Sequence, residues 1–276
     1  MLKLRLINKD ELTNLSEKLR KSEETDFEKS FGERSGWATD ILEAKTGSYP
    51  RSEGAYLATI ISKDGDIQKI QPWSNAVGIR PTVTYSEIKE LGKDIGEDEN
   101  GILCLEYGEY PQSKVDVEKS FELTQALEKG ILKETEKTYS ILNKKPRMYS
   151  GLPLCFGGYQ VDEKKPVIEL KEYKYKDGKK YVLKDNVWYN VEPIVWQVDK
   201  QKDIALTKNI INNGLLYSAC SIKEFIEQYL SKDIIPLRKS KVKVTKVNIG
   251  KVNELMNLNQ HEVGLETSKS QKVKKR

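Results

Sequence analysis

The segment that most narrows the possible folds runs from 167 to 211, VIELKEYKYKDGKKYVLKDNVWYNVEPIVWQVDKQKDIALTKNII. Its β-branched and aromatic residues alternate with polar ones, which is the period of a half-buried strand. Asp177-Gly178 is a hairpin turn signal, and Asn186, Pro193 and Lys202-Asp203 interrupt the alternation again. We therefore predict four or five antiparallel strands within this segment.

A second hairpin is predicted earlier in the chain, in GAYLATIISKDGDIQKIQPW, where Asp64-Gly65 separates two β-rich runs. GIRPTVTY follows and places Arg80 immediately before Pro81. A residue before proline favours extended backbone, and proline donates no ladder hydrogen bond, so we predict a strand at a sheet edge or a crossover. The predicted fold class is α+β, with mainly antiparallel sheet and a few helices.

Three stretches have helical spacing. The first follows a predicted strand at 2–7 and has Asn8 or Asp10 as its N-cap. The second ends at Gly130, and the third begins at Ser221. The faces predicted to be buried are Leu12, Leu15 and Leu19 in the first; Val117, Phe121, Leu123 and Leu127 in the second; and Ile222, Phe225, Ile226, Tyr229 and Leu230 in the third.

The acidic, glycine-containing segment EIKELGKDIGEDENG, residues 87 to 101, is predicted to be part helix and part loop and to mark an internal boundary. We expect 1–95 and 96–240 to pack together as one body. Residues 131 to 165 contain several turn signals and are predicted to form an ordered loop. Residues 241–276 are predicted to be a basic, largely disordered tail.

Charge is unevenly distributed. Residues 232–276 hold 12 of the 47 basic and 4 of the 42 acidic residues, so the rest of the chain carries 35 basic and 38 acidic residues. A slightly acidic body is a poor match for nucleic acid, and only the tail is expected to make weak, nonspecific contact with it. The chain lacks an apolar run of about 20 residues and an apolar signal core, so we expect no membrane span and a cytoplasmic location.

The residues with metal-binding or nucleophilic chemistry are few and scattered. The chain has three cysteines (Cys104, Cys155 and Cys220) and one histidine, His261. A zinc site needs about four such ligands at short spacings, and no Cys-x-x-Cys pair exists here. We therefore predict no metal, no cofactor and no catalytic residues, and interpret the cysteines as thiols of a reducing compartment.

Three aromatic or arginine-containing clusters supply candidate binding residues. They are SYPRSEGAYL, GIRPTVTY and EYGEYPQ, together with the strand VWYNVEPIVWQVD. Arg80 either binds backbone carbonyls or a buried carboxylate and fixes its strand, or lies as a cation at the rim of a cleft. The tryptophans are either core or a stacking platform, and the glutamine either stabilises a turn or contacts ligand. The candidates are Arg80, Tyr107, Tyr110, Gln112, Trp73, Trp188 and Trp196.

EYGEYPQ, VWYNVEPIVWQVD, IALTKNII, the helix at 222–230 and GIRPTVTY together resemble the signature segments of a bacterial and phage domain family of unknown function. Members share a Phe/Tyr-Gly-x-Tyr-Pro-Gln segment, a Pro-Ile-x-Trp-x-Val strand and a Gly-Val-Arg-Pro segment. The resemblance covers about 36–90 and 101–236. It implies a fold similar to C-type lectins and formylglycine-generating enzymes.

The order of the motifs departs from that family, because Gly78 to Pro81 precedes Tyr107 to Gln112 instead of following it. The unit is either circularly permuted or assembled from the end of one copy and the start of another. Lectin-type calcium binding is disfavoured because Ile194 replaces a ligand beside Glu192-Pro193, and calcium needs six to eight oxygens. No cysteine spacing supports the oxidase chemistry of the formylglycine-generating enzymes.

Three functions are compatible with these patterns. The first is a non-enzymatic recognition or accessory module of lectin-like architecture, binding a protein or glycan without a metal. The second is an enzyme related to the formylglycine-generating oxidases, or a carboxylate-based hydrolase. The third is weak nucleic-acid association through the basic tail. The sequence favours the first, because it contains dense β structure and aromatic residues without assembled catalytic groups.

Overall fold

Strands account for most of the described structure. The prediction of an α+β fold with mainly antiparallel sheets is confirmed. The described residues lie within one unit, Met1–Pro236. The computed structural model describes residues 2–32, 36–44, 56–70, 76–146, 148–149, 152–153, 159–215 and 222–235.

The elements are numbered in chain order. The helices are α1 (Lys9–Asn14), α2 (Glu17–Arg20), α3 (Asp26–Lys29), α4 (Tyr85–Ile88), α5 (Val117–Glu128), α6 (Ile222–Phe225), a π-helical segment (Ile226–Leu230) and α7 (Ser231–Ile234). The strands are β1 (Glu23–Glu24), β2 (Trp37–Ala44), β3 (Tyr56–Ile61), β4 (Ile67–Ile70), β5 (Ala76–Ile79), β6 (Thr82–Thr84), β7 (Lys93–Glu97), β8 (Leu103–Lys114), β9 (Lys133–Leu142), β10 (Lys144–Pro146), β11 (Met148–Tyr149), β12 (Leu152–Pro153), β13 (Tyr159–Val161), β14 (Val167–Lys174), β15 (Lys180–Lys184), β16 (Val187–Asp199), β17 (Ile204–Thr207), β18 (Asn209–Ile210) and β19 (Asn212–Leu215).

The long strand β16 organises an eight-stranded sheet. Its first half pairs with β15, its second half pairs with β17, and β8 lies antiparallel along its other edge. The sheet continues from β15 through β14 to β9, from β17 to β6, and from β8 to β7. The predicted meander is thereby confirmed, with Gly178 in the predicted hairpin turn and both Asp185 and Asn186 at positive φ in the next one. Pro193 does not end a strand, since β16 passes through it with a local irregularity in its pairing.

A five-stranded sheet has the order β19-β5-β2-β3-β4. Its β3–β4 pair is the hairpin predicted at Asp64-Gly65. The chain passes between the two sheets at two neighbouring places, at Arg80-Pro81 between β5 and β6 and at 208–211 between β17 and β19. Backbone hydrogen bonds from Thr207 N to Pro81 O and from Ile211 N to Ile79 O, each 3.1 Å, join these crossings.

Arg80 lies fully buried at this double crossing. Its Nε donates to Thr207 O at 2.6 Å, its Nη1 to Leu19 O at 2.6 Å and its Nη2 to Gln197 Oε1 at 2.9 Å. The Trp37 ring lies 5.0 Å from the guanidinium carbon, within range of a cation–π interaction. Burial lowers the pKa of Arg80 to about 9, which leaves the side chain charged at neutral pH. This arrangement confirms the interpretation of Arg80 as a residue that holds its strand through backbone carbonyls.

We expect Arg80→Met to lower the free energy of unfolding by about 3 to 5 kcal/mol, because it leaves three buried acceptors without a donor. Urea unfolding of the intact chain measures the loss. Arg5→Met is the matched control, because Arg5 binds Glu11 with both terminal nitrogens but is half-buried, and its loss should cost about 1 kcal/mol. Equal losses of unfolding free energy in the two variants would contradict the claim that the buried hydrogen bonds of Arg80 stabilise the fold more than a half-buried ion pair does.

The N-terminal predictions are only partly right. Residues 2–7 do not form a strand, although a single bridge joins Arg5 to Thr82. The predicted first helix is broken into α1, which has a capping box of Asn8 with Glu11, and α2, which is capped by Ser16. The break keeps all three predicted leucines in one buried apolar cluster, which also contains Trp37. The short elements β1 and α3 follow α2.

Two segments predicted as connections are strands of the large sheet. β7 occupies the acidic segment and pairs with β8, and β9 occupies part of 131–165 and pairs with β14. The five residues of β7, KDIGE, are all exposed, including Ile95, so the sequence carries no apolar alternation. The strand at 103 also continues past Gly108 and Pro111 to Lys114.

Helix α5 buries only half of the face that its sequence predicts, namely Leu123 and, in part, Leu127. Val117 and Phe121 are 85% and 66% exposed, whereas Leu123 and Ala126 are buried against Trp188. The stem of Lys119 lies on the packed side, and its ammonium reaches Asp177 Oδ2 at 2.8 Å and Glu122 Oε2 at 3.0 Å. Burial alone would lower the pKa of Lys119, but these two hydrogen bonds outweigh it and raise the pKa. These ion pairs compensate the charge of Lys119, so the helix packs the side that carries this lysine and leaves Val117 and Phe121 in solvent.

The C-terminal helical segment is confirmed from Ile222 onward, with Phe225, Ile226 and Leu230 buried and Tyr229 partly buried. Its predicted cap, Ser221, lies outside the described residues, as does the basic tail at 241–276. Among the described residues, no helix is long and apolar enough to cross a membrane.

Candidate functional site

The structure places four of the seven predicted site residues inside the core. Arg80, Tyr110, Trp188 and Trp196 are buried, so solvent does not reach their side chains. Tyr107 is partly buried and packs on the main core cluster, and Gln112 is partly buried on β8. Trp73 lies outside the described residues. Of the two alternatives that the sequence left open for Arg80 and the tryptophans, a structural role in the core is the one that their burial supports.

Both described tryptophans of β16 use their ring nitrogens inside the protein. Trp188 Nε1 donates to Thr124 Oγ1 of α5 at 3.0 Å, and Trp196 Nε1 donates to Tyr107 O at 2.9 Å. A buried indole needs such a partner for its N–H. The pair consequently acts as core, fixing α5 and the middle of β8 against β16, and does not offer a stacking platform.

Tyr110 belongs to a buried polar network. Asn212 Nδ2 donates to Tyr110 Oη at 2.6 Å and to Ser140 O at 3.0 Å. The backbone N–H of Ser140 donates in turn to Asp233 Oδ2 at 2.6 Å, and this bond links β9 to α7. Burial raises the pKa of Asp233 to about 6, against the opposing effects of the Ser140 hydrogen bonds and of Lys137; Glu169 raises the pKa further.

Asp233→Asn is expected to raise the free energy of unfolding at pH 7.5 by roughly 1 to 3 kcal/mol. The folded-state pKa of about 6 exceeds the ordinary value of 3.8, so the native state binds this proton more tightly. Stability from this group is therefore fully present below pH 3.8 and lost as the pH rises through 6. Asparagine keeps the acceptor for Ser140 N without the charge.

Urea unfolding at pH 4.5 and 7.5 checks the effect of Asp233→Asn. The gain should be larger at the higher pH. Glu227→Gln is the matched control, because Glu227 lies in the same helical segment and pairs with Lys3 at the surface. A gain that is the same at both pH values would rule out the titration of Asp233 as its cause.

Gln112 joins the two motif-bearing strands. Its Nε2 donates to Glu192 O at 3.0 Å and to Pro193 O at 2.8 Å, on the neighbouring strand β16. Pro193 has no N–H, so this stretch of β16 lacks one ladder donor, and the glutamine amide supplies a bond across the strands instead. Gln112 has the structural role predicted for it, but it binds carbonyls of β16 and does not stabilise its own turn.

Gly108 in the same motif allows a close approach. Its φ is +77°, and a Cβ there would lie 2.6 Å from Ile234 O at the end of α7. A side chain at this position would both strain the backbone and displace the helix. The Tyr-Gly-x-Tyr-Pro-Gln segment is thus built around the docking of α7 on one side and β16 on the other.

A cleft of 340 Å³ opens beside this junction, and we call it the β8–β16 cleft. Glu109 projects into it from β8, Lys180 from β15, and both Asn190 and Glu192 from β16. The remaining lining residues are Gly178, Lys179 and Val191. The elements that meet here are the two motif strands and the Asp177-Gly178 hairpin.

Hydrogen bonds hold the side chains of the cleft in place. Ser113 donates to Glu192 from both N and Oγ, each at 2.9 Å, and Asn190 Nδ2 donates to Ser113 Oγ at 3.0 Å. Lys180 Nζ forms an ion pair with Glu109 Oε2. The side chains of Lys180 and Glu109 are 34% and 41% exposed, so both remain accessible to solvent. The cleft therefore presents fixed donors and acceptors of both charges to solvent.

Other chemistry predicted or weighed from the sequence finds little support in the described part of the chain. Cys104 is buried on β8, and burial raises the pKa of its thiol, which lowers its reactivity. Cys155, Cys220 and His261 lie outside the described residues. Within the described ranges, no group of three His, Cys, Asp or Glu side chains is arranged to hold a metal ion.

Sequence reasoning missed most of the residues that line the cleft. Glu192 was considered only as a calcium ligand, and Glu109, Lys180 and Asn190 were not singled out. Each is an ordinary polar residue on an alternating strand, and the cleft exists only because β8 pairs with β16 at that register. The one available signal was the shared presence of glycine, proline and carboxylate in EYGEYPQ and NVEPI.

Comparison of the chain with protein-family models, with curated proteins and with solved structures gave no match. The resemblance to the bacterial and phage family consequently stays a prediction that rests on the sequence motifs.

Proposed function

We propose that this protein is a non-enzymatic recognition or accessory module of C-type-lectin-like architecture, which binds a polar ligand in the β8–β16 cleft without a metal. The observation that carries the proposal is that the two motif strands, EYGEYPQ and NVEPI, meet at the cleft and position its side chains. A protein segment is favoured as the ligand over a glycan, because Trp188 and Trp196 are buried and offer no ring on which a sugar can stack.

The chemistry of the cleft supports recognition. Asn190 offers an amide, Lys180 an ammonium, and Glu109 and Glu192 offer carboxylates, so donors and acceptors converge within one small volume. Ser113 and Gln112 hold the β16 side of the cleft in place before any ligand arrives. A preorganised site loses less conformational entropy on binding. Opposite charges at the rim favour selectivity among charged partners.

The test is a selection of binders from a random peptide library and, in parallel, a glycan array, both with the intact chain. Binders are then measured against Asn190→Ala/Glu192→Gln. We expect the double substitution to weaken binding at least roughly tenfold, the effect of losing one or two hydrogen bonds to charged groups. The matched control is Lys171→Gln/Glu134→Gln, which removes an exposed ion pair elsewhere on the sheet.

Binders that are unaffected by the cleft substitutions, or a failure to recover any, would contradict the proposal. Binding confined to the glycan array would keep the module and change its ligand class.

A carboxylate-based hydrolase is the second candidate, because Glu109 and Glu192 line the same cleft. Paired carboxylates on either side of a bond are the minimal equipment for glycoside hydrolysis. Turnover of a chromogenic glycoside or ester by the intact chain, abolished in Glu109→Gln, would replace the recognition module with this enzyme. Contact of the basic tail with nucleic acid remains a prediction from its charge.

A further inference from the structure

A second pocket, of 200 Å³, lies away from the β8–β16 cleft, at the other half of β16. Four lysines line it, namely Lys18, Lys21, Lys63 and Lys208, and we call it the lysine pocket. They come from α2 and the residue after it, from the β3–β4 turn, and from the link between β17 and β18. Lysines from separate segments of the chain converge here although like charges repel each other.

Two carboxylates line this pocket beside the four lysines, and two more lie just outside its lining. Glu99 and Glu23 share its wall, and Glu99 Oε1 lies 3.2 Å from Lys208 Nζ. Lys21 and Lys63 have longer contacts with Glu17 at 3.5 Å and with Glu24 at 3.6 Å. Such half-exposed pairs contribute little to stability and exchange readily for another anion.

Lys18 differs from the other three, because its ammonium donates to the backbone carbonyl of Asn100 at 3.0 Å. A carbonyl oxygen accepts a hydrogen bond but brings no compensating charge. The ammonium of Lys18 is therefore the cation of the pocket that an incoming anion would neutralise most directly.

The floor of the pocket is Gln197, which is buried and separates the lysines from Arg80. Gln197 Oε1 accepts from Arg80, and its Nε2 donates to Asp98 Oδ2 at 2.7 Å. The guanidinium itself binds two backbone carbonyls and this amide, and Asp98 lies on the other side of the glutamine. A buried cation thus lies directly behind four surface ammonium groups.

Ser22 supplies the second, independent observation. Its Oγ is out of reach of solvent and has no hydrogen-bond partner within the described structure, although Ser22 lines the pocket. A buried hydroxyl without a partner costs free energy, and structures rarely leave one without an occupant that uses it. Its backbone N–H is already bound to Lys63 O at 3.2 Å, which fixes the serine beside that lysine.

We propose that the lysine pocket binds a phosphate group, with Lys18 and Lys208 as its cationic ligands and with the Ser22 hydroxyl, turned into the pocket about its Cα–Cβ bond, as a neutral donor. A compact oxyanion offers several acceptors to ammonium and hydroxyl donors at once. The volume of 200 Å³ admits a phosphate with a small attached group. The ligand is inorganic phosphate or the phosphate of a small metabolite, since both present the same acceptor oxygens.

The experiment is a titration of the intact chain with inorganic phosphate, with a nucleoside monophosphate and with a sugar phosphate, at constant ionic strength kept with chloride. Thermal unfolding and NMR shifts of the Gln197 side-chain amide report binding. We expect a saturable rise in the unfolding temperature for at least one ligand. Equal affinity for all three would assign recognition to the phosphate alone, and a preference would identify its source.

Lys18→Gln/Lys208→Gln should weaken binding at least roughly tenfold. Lys171→Gln/Lys223→Gln is the control with the same loss of charge, because these exposed lysines pair with Glu134 and Asp40 elsewhere. Ser22→Ala should weaken binding several-fold, while leaving stability without phosphate unchanged or slightly raised, because it removes an unpaired buried hydroxyl.

A phosphate effect no larger than that of chloride, or one equal in the pocket and control variants, would overturn the proposal. A failed proposal here leaves the β8–β16 cleft untouched, because the two sites share no lining residue.

Discussion

The buried guanidinium of Arg80 links parts of the chain that are far apart in sequence. Its hydrogen bonds end on α2, on the end of β17 and on the second half of β16, at the place where two chain segments cross between the sheets. A buried charge is tolerated only when its donors are satisfied, so any displacement of these three acceptors has a cost. The arginine therefore fixes the arrangement of both sheets around this point, and Trp37 closes the remaining face.

Strand β16 carries this constraint to both candidate sites. Its first half holds Asn190 and Glu192 in the β8–β16 cleft, and its second half holds Gln197 between Arg80 and the lysine pocket. Trp188 before these positions and Trp196 between them are core residues that hold α5 and β8 against β16. Both proposed sites thus lie on a strand that is paired along both of its edges, which favours sites that are formed before a ligand binds.

The predictability of the fold followed how local each signal was. The Asp64-Gly65 and Asp177-Gly178 hairpins were predictable because turn residues and alternating strands are neighbours in sequence. β7 was not, since an exposed edge strand needs no apolar alternation. The buried face of α5 was predicted only in part, because the ion pair of Lys119 with Asp177 depends on a hairpin that lies far along the chain.

The candidate sites were less predictable for the same reason. The role of Arg80 in binding carbonyls was foreseen, because its position before Pro81 and its five donors are visible in the sequence. Which carbonyls it binds depends on the crossing of two distant segments. Likewise, the residues that line the cleft and the lysine pocket are common surface types. The register of β8 with β16 brings the cleft residues together, and segments far apart in sequence supply the lysines of the pocket.

The central claim is that the crossing at Arg80 makes the two sheets one cooperative unit. Native-state hydrogen exchange of the intact chain, followed over increasing denaturant, tests it most directly. We predict that the slowest amides of β5 and β19 and those of β16 exchange through one global opening, with the same free energy and the same denaturant dependence. Exchange of β5 and β19 through a smaller opening, while β16 stays protected, would contradict the account.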